Sequence, residues 1–147
     1  MFKHILVPTD GSPLSLRAAK EAVRFAHENG ARITAFHATP QYAANIAGDY
    51  IPPSFVSLPE FTKQVERTAD KYLGKVKQLA DAKKVPCATV QTSSDWPYEA
   101  IIKAAKANKC DMVFMASHGR RGIASLLIGS ETTKVLTHCK LPVLVYR

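Results

Sequence analysis

The chain has 147 residues, 46% of them hydrophobic and 22% charged, with a formal net charge of +8. That length suits one domain with its own buried core, expected over residues 1–147; no apolar run approaches the roughly 20 residues of a membrane-spanning helix, so no membrane insertion is expected. The basic balance raises nucleic acid as a partner, but the cations are scattered through helix-like segments from Lys63 to Lys109 without interleaved aromatics to stack on bases. They read as a solvated face, and no specific nucleic-acid partner is expected.

His4 to Pro8 is apolar through its centre and predicts a buried strand. It lacks signal-peptide architecture, so a cytoplasmic location is expected. Ser12 before Pro13 is a helix start, with serine as N-cap and proline at the first helical position. Leu16, Ala19, Val23 and Ala26 then recur at helical spacing until Asn29-Gly30 stops the helix. Ile33 to Ala38 predicts a second strand, in which His37 reads as a packed, hydrogen-bonded residue. Thr39 to Ser57 is irregular and proline-rich, a lid or a variable crossover.

Ser57-Leu58-Pro59-Glu60 has capping-box spacing. A helix follows to about Lys83, with Phe61, Val65, Ala69, Tyr72, Val76 and Leu79 on one face. Pro86 to Thr92 predicts a third strand. Asp95-Trp96-Pro97 reads as the cap of a helix burying Ala100, Ile101, Ala104 and Ala105, with Trp96 as a packing anchor. Asp111 to Ala116 and Pro142 to Tyr146 predict the last two strands, with a short helix over Glu131 to Thr137 between them. Cys87, Cys110 and Cys139 are odd in number and lack C-x-x-C spacing, so free thiols and no metal site are expected. Five alternations of strand and helix argue for an α/β fold, an open five-stranded parallel sheet with helices on both faces.

The densest chemistry lies after the fourth strand. Ser117-His118-Gly119-Arg120-Arg121-Gly122 leads to Gly129-Ser130-Glu131-Thr132, where a helix begins. Glycines permit close backbone approach to a ligand, and free N–H groups at a helix start favour an anion. Gly129-Ser130 is therefore a candidate phosphate seat, although neither G-x-x-x-x-G-K-[ST] nor G-x-G-x-x-G is present. Ser117, His118 and Asp10 superficially suggest a nucleophilic triad, but adjacent loop side chains need not face one another. With no G-x-S-x-G elbow, no catalytic residue is assigned.

Ser117-His118-Gly119, the Gly129-Ser130 pair, Leu141-Pro142-Val143-Leu144-Val145 and the opening Ile5-Leu6-Val7-Pro8-Thr9-Asp10-Gly11-Ser12 together resemble the universal stress protein family, across essentially the whole chain. The resemblance implies a Rossmann-like sheet of order 3-2-1-4-5, with a ligand cleft where strand order reverses between the first and fourth strands. It implies that Pro8, Thr9 and Asp10 contact a nucleoside, Asp10 through ribose hydroxyls or a nearby Mg2+. Ala38 would offer backbone groups to adenine and Met115 would line the same pocket. Ser117, His118, Gly119, Gly129, Ser130, Glu131 and Thr132 would hold the phosphates, with Arg120 or Arg121 adding charge.

One position departs from the family's nucleotide-binding pattern: Ala116 stands where that pattern has glycine. The expected function is an ATP-binding stress or regulatory protein with at most slow hydrolysis. The alternatives are a dimeric adaptor without nucleotide and a weak metal-dependent ATPase or nucleotidyl enzyme. A protein partner of unknown identity is implied. The resemblance also implies a homodimer through the last strand, whose apolar edge would otherwise be an aggregation liability.

Overall fold

Strands and helices alternate along the chain: β1 (His4–Pro8), α1 (Pro13–Asn29), β2 (Arg32–Thr39), α2 (Leu58–Ala82), β3 (Cys87–Ser93), α3 (Pro97–Ala107), β4 (Met112–Ala116), α4 (Ser130–His138) and β5 (Val143–Tyr146). The computed structural model describes residues 1–42, 57–120 and 127–147. Most of the irregular Thr39 to Ser57 stretch, with Arg121 and Gly122, lies outside the described residues. The strands form one parallel sheet in the order β3-β2-β1-β4-β5, as expected. In register, Ile5 pairs with both Ile33 of β2 and Met112 of β4, which puts β1 at the centre.

The strand period of two divides the core between two faces. Ile5, Val7, Ile33, Met112 and Phe114 point to α1 and α2, whereas Leu6, Phe36, Val113 and Met115 point to α3 and α4. Helix α1 meets the sheet through Ala18, Ala19, Ala22 and Ala26, all completely buried, so small side chains let its backbone approach closely. Its ends follow the sequence rules. The Ser12 hydroxyl accepts the Ser15 N–H at 3.1 Å, and Gly30 closes the helix at φ 60°. The predicted Ser57–Glu60 capping box also forms at the start of α2.

The start of α3 departs from expectation. Asp95 does not cap the helix; its carboxylate accepts the Gln41 N–H at 3.2 Å. Trp96 occupies the cap position without a side-chain bond. The acceptor comes from α4 instead, where Glu131 Oε2 takes the Tyr98 N–H at 2.9 Å. Trp96 is 61% exposed and is no packing anchor. The adjacent Pro97 starts the helix and turns the indole outward from the buried Ala100–Ala105 face.

Helices α1, α2 and α3 close in the same way at the amino-terminal end of the sheet. In each, a residue two past the last turn donates its N–H back: Ala31 to Ala26 at 2.8 Å, Val85 to Ala80 at 2.9 Å, and Cys110 to Ala105 at 2.9 Å. The residue before each donor is left-handed, and only the first is glycine; Lys84 has φ 57° and Lys109 φ 54°. A side chain in that conformation costs roughly 1 kcal/mol or more, offset by burial of the following Val85 and Cys110.

That burial pushes the Cys110 thiol up to about 11, with a hydrogen bond from the Thr34 side chain acting against it. Cys110 should therefore resist a thiol-specific reagent at pH 8 in the folded protein and label fully only on denaturation, as mass spectrometry of the alkylated chain would read.

Candidate functional site

The chain leaves β1 for α1 on one face and leaves β4 for α4 on the other, so the two loops part at the carboxyl ends of neighbouring strands. Asp10 ties them together. Its Oδ1 accepts the Ser12 N–H at 3.0 Å, and its Oδ2 accepts the Arg120 N–H at 2.7 Å across 110 residues of sequence. The first bond is the local Asx turn expected of an aspartate before Gly11-Ser12. The second exists only in the folded chain. Burial raises the cost of the Asp10 charge, but hydrogen bonds from Ser12, Arg120 and Ser15 outweigh it, and the carboxyl lies below its ordinary range. Each carboxylate oxygen retains a further acceptor site.

Gly119 is required by this contact, because a Cβ there would collide with the Asp10 carboxylate. Gly129 is closely packed as well: a Cβ would stand 3.1 Å from the His118 backbone and 3.3 Å from the Ser117 carbonyl, a tight contact. The Gly129 N–H donates to that carbonyl at 2.7 Å, which pins the start of α4 against the end of β4. Gly129 then serves as N-cap with no side chain to satisfy the first turn. A helix leaves its first N–H groups without intrahelical partners, and those of Ser130, Glu131 and Thr132 begin here. Ser130 is exposed beside them.

The alanine at position 116 is accommodated. Ala116 lies within β4, paired with Tyr146 of β5, and is not among the residues with positive φ. Its methyl packs into the core on the α1 and α2 side. The backbone conformation thus tolerates a side chain at this position.

Several other predicted residues serve by position rather than by side chain. Ala38 and Met115 lie on the α3 and α4 face and pack with Leu6 and Phe36, and Pro8, which ends β1, pairs in register with Phe36. Thr9 is buried, with its N–H bonded to the Phe36 carbonyl at 2.8 Å and its hydroxyl 3.1 Å from that of Ser15. The Ser117 N–H is taken by the Tyr146 carbonyl at 2.7 Å, so it does not face the cleft. The Thr132 hydroxyl is buried and donates to the Ala116 carbonyl at 3.0 Å. Glu131 uses both carboxylate oxygens elsewhere, on Tyr98 and on Lys134. These three residues hold the loop and α4 in place. Ser117 Oγ does lie 3.2 Å from His118 Nδ1, but the hydrogen bonds to Asp10 come from Ser12, Ser15 and Arg120, not from His118, so the three do not form a relay.

Sequence reading missed Tyr72. It was assigned to the buried face of α2, and it is buried, but its ring also builds the wall of the site. A Cβ on Gly11, whose φ is 75°, would enter that ring. The Arg120 guanidinium lies 4.9 Å over the ring centroid, and His37 meets the ring edge-on at 5.3 Å. His37 Nδ1 is 2.7 Å from the Thr9 carbonyl, which makes Nδ1 the protonated nitrogen. Arg120, expected to reach phosphate, is drawn over Tyr72 instead. A cavity of about 460 Å3 opens beside Asp10, lined by Ser12, Pro13, Arg17, His118, Gly119 and Arg120.

A parallel sheet with this strand order defines an open α/β protein, the class in which ligand sites lie at the switch point beyond the strands' carboxyl ends. The family model described as "Universal stress protein family" matches residues 1–147, and the chain belongs to that family. It is 34% identical to the universal stress protein in the QAH/OAS sulfhydrylase 3' region of Thermus aquaticus, with 100% of both chains covered. It is 29% identical to universal stress protein MJ0531 of Methanocaldococcus jannaschii, over 100% of this chain and 83% of that one.

Solved structures repeat the fold. Protein MJ0577 superposes with a TM-score of 0.81 at 23% identity, covering 99% of this chain and 95% of that one. A universal stress protein in complex with cAMP gives 0.72 at 23% identity, covering 99% and 97%. An Arabidopsis thaliana family member with AMP bound gives 0.67 at 14% identity, covering 97% and 90%.

Two outcomes test this geometry. Because the folded-state pKa of Asp10 is depressed, its bonds stabilise the fold above the ordinary aspartate pKa, and that stability is lost as pH falls through the folded value. Asp10→Asn should flatten this acid limb in denaturant melts between pH 5 and 2. Gly11→Ala, forced into positive φ and against Tyr72, should cost roughly 1–3 kcal/mol or more in urea denaturation.

Proposed function

We propose that the chain binds an adenine nucleotide, ATP, at the carboxyl-terminal switch point, and that occupancy of this site regulates a partner in the cytoplasm. The observation that carries the reading is the double glycine cradle. Gly119 lets the Asp10 carboxylate approach the β4 loop, and Gly129, close against His118, starts α4 with no side-chain cap on its first N–H groups. Family membership and the adenine-nucleotide complexes of two structural neighbours support it.

In this reading Pro8, Ala38 and Met115 flank the base, and Asp10 uses its remaining acceptor sites for ribose hydroxyls. The N–H groups of Ser130, Glu131 and Thr132, with the Ser130 hydroxyl, take the phosphates through the positive end of α4. Asp10 is assigned here to the ribose, and Glu131 uses one oxygen on Tyr98 and the other on Lys134. This favours a binding and signalling role over a dedicated ATPase.

Calorimetric titration of nucleotide-stripped protein with ATP and magnesium should give micromolar binding that Gly129→Val abolishes. A parent that binds nothing would overturn the reading in favour of an adaptor. Metal-dependent turnover lost in Asp10→Ala would replace it with an enzyme.

The assembly proposed is a homodimer through β5, which lies at one edge of the sheet with half-buried Val143, Leu144, Val145 and Tyr146. Val143 packs against the α3-side core, whereas Val145 belongs to neither core cluster. Val145→Asp should therefore yield a folded monomer in sedimentation velocity, and an unchanged dimer would exclude this edge.

A further inference from the structure

The opposite end of the sheet carries a second concavity. It has a volume of about 400 Å3, and its lining includes Lys3, His27, Arg32 and Lys84 above a floor of Ala31 and Val85. Four elements bring these residues together. Lys3 precedes β1, His27 sits in the last turn of α1, Arg32 opens β2, and Lys84 follows α2. The backbone fixes their spacing: Arg32 N–H donates to the Lys3 carbonyl at 3.0 Å, and Ile33 N–H to the Pro86 carbonyl at 2.8 Å.

The side chains of Lys3, Arg32 and Lys84 take part in no ion pair with another described residue. Asp111, the carboxylate bonded at this end, accepts the backbone N–H groups of Lys3 and His4, at 2.8 and 3.2 Å. The side chains of Lys3, His27, Arg32 and Lys84 are exposed, while Ala31 and Val85 are buried.

Lys84 is the informative member. It holds a left-handed conformation with φ 57°, a place where glycine would be free of strain. The equivalent position after α1 is a glycine, Gly30, which also lines the cleft. Lys109 holds the same conformation after α3 and lies outside the cleft, so the turn is a shared helix end and what distinguishes position 84 is where its side chain sits. Here that side chain adds a cation to Lys3 and Arg32.

We infer that this amino-terminal cleft is a second anion site, which takes a compact multivalent phosphate, inorganic or as a small organic ester. The shape favours a compact ligand over a nucleic-acid strand. The cations line one depression, and among the described residues no Phe, Tyr or Trp lines it for base stacking. The apolar floor leaves room for the organic part of an ester. The site lies at the other end of the strands from the proposed nucleotide site and does not depend on it.

Pyrophosphate titrated into 15N-labelled full-length protein should shift the amide resonances of Ala31, Arg32 and Val85. Lys84→Gly keeps the left-handed turn and should leave thermal stability unchanged or raised. It should weaken pyrophosphate about tenfold, the loss expected for one charge-assisted hydrogen bond. Arg32→Gln should weaken it comparably, and a phosphate monoester competing for the same resonances would identify the organic form. Shifts confined to Ser130, Glu131 and Thr132 would overturn the inference, because the anion would then occupy the start of α4. So would an affinity untouched by Lys84→Gly, which would leave the lysine as a helix-end charge only. Tighter binding of a single-stranded oligonucleotide than of pyrophosphate at these resonances would overturn the compact-ligand assignment.

Discussion

The bond from the Arg120 N–H to the Asp10 carboxylate closes the site. A parallel sheet that sends neighbouring strands to helices on opposite faces must open a cleft where those connections part. Something has to set how far the two loops separate. Here it is a charged acceptor on the β1 loop gripping a backbone donor on the β4 loop, with Gly119 bare so that the carboxylate can approach. Burial opposes the charge, but the donors prevail and Asp10 stays ionised more readily than an ordinary aspartate. The clasp thus fixes the cleft and leaves acceptor capacity facing it.

Helix α4 is positioned by contacts outside its own length. It is nine residues long, too short to be stable by propensity alone. Val135 supplies its fully buried apolar contact. The Thr132 hydroxyl bonds to Ala116, Gly129 N–H bonds to Ser117, and Glu131 caps α3 through Tyr98. The polar residues of its first turn are thus spent on docking the helix, and the backbone N–H groups are left for a ligand. The side chains of Glu131 and Thr132 and the backbone of Ser117 therefore act as supports for the start of α4.

The two ends of the sheet differ in how they present charge. At the carboxyl end an uncapped helix start offers backbone dipoles, and the nearby Arg120 is drawn onto Tyr72. At the amino end three helices finish with bonded carbonyls, and the positive charge comes from lysine and arginine side chains. Cations near helix C-termini are favourable in themselves. The convergence of Lys3, Arg32 and Lys84 from separate elements goes beyond that local effect.

The sequence alone determined the element order, the caps at Ser12, Gly30 and Ser57, and much of the buried helix faces. These depend on local periodicity and on hydrogen bonds spanning three or four residues, which the order of residues states directly. The family's motifs also marked Asp10, Gly119 and Gly129, since their residue types and spacing survive in one dimension. Tertiary structure alone decided that Glu131 caps α3, that Trp96 is exposed, and that Tyr72 forms the wall of the site between His37 and Arg120. It also settled Ala116, whose extended backbone pairing with β5 accepts a methyl group. Each of these rests on a contact between residues far apart in sequence, where the donor or ring meets its partner only once the sheet has brought their elements together.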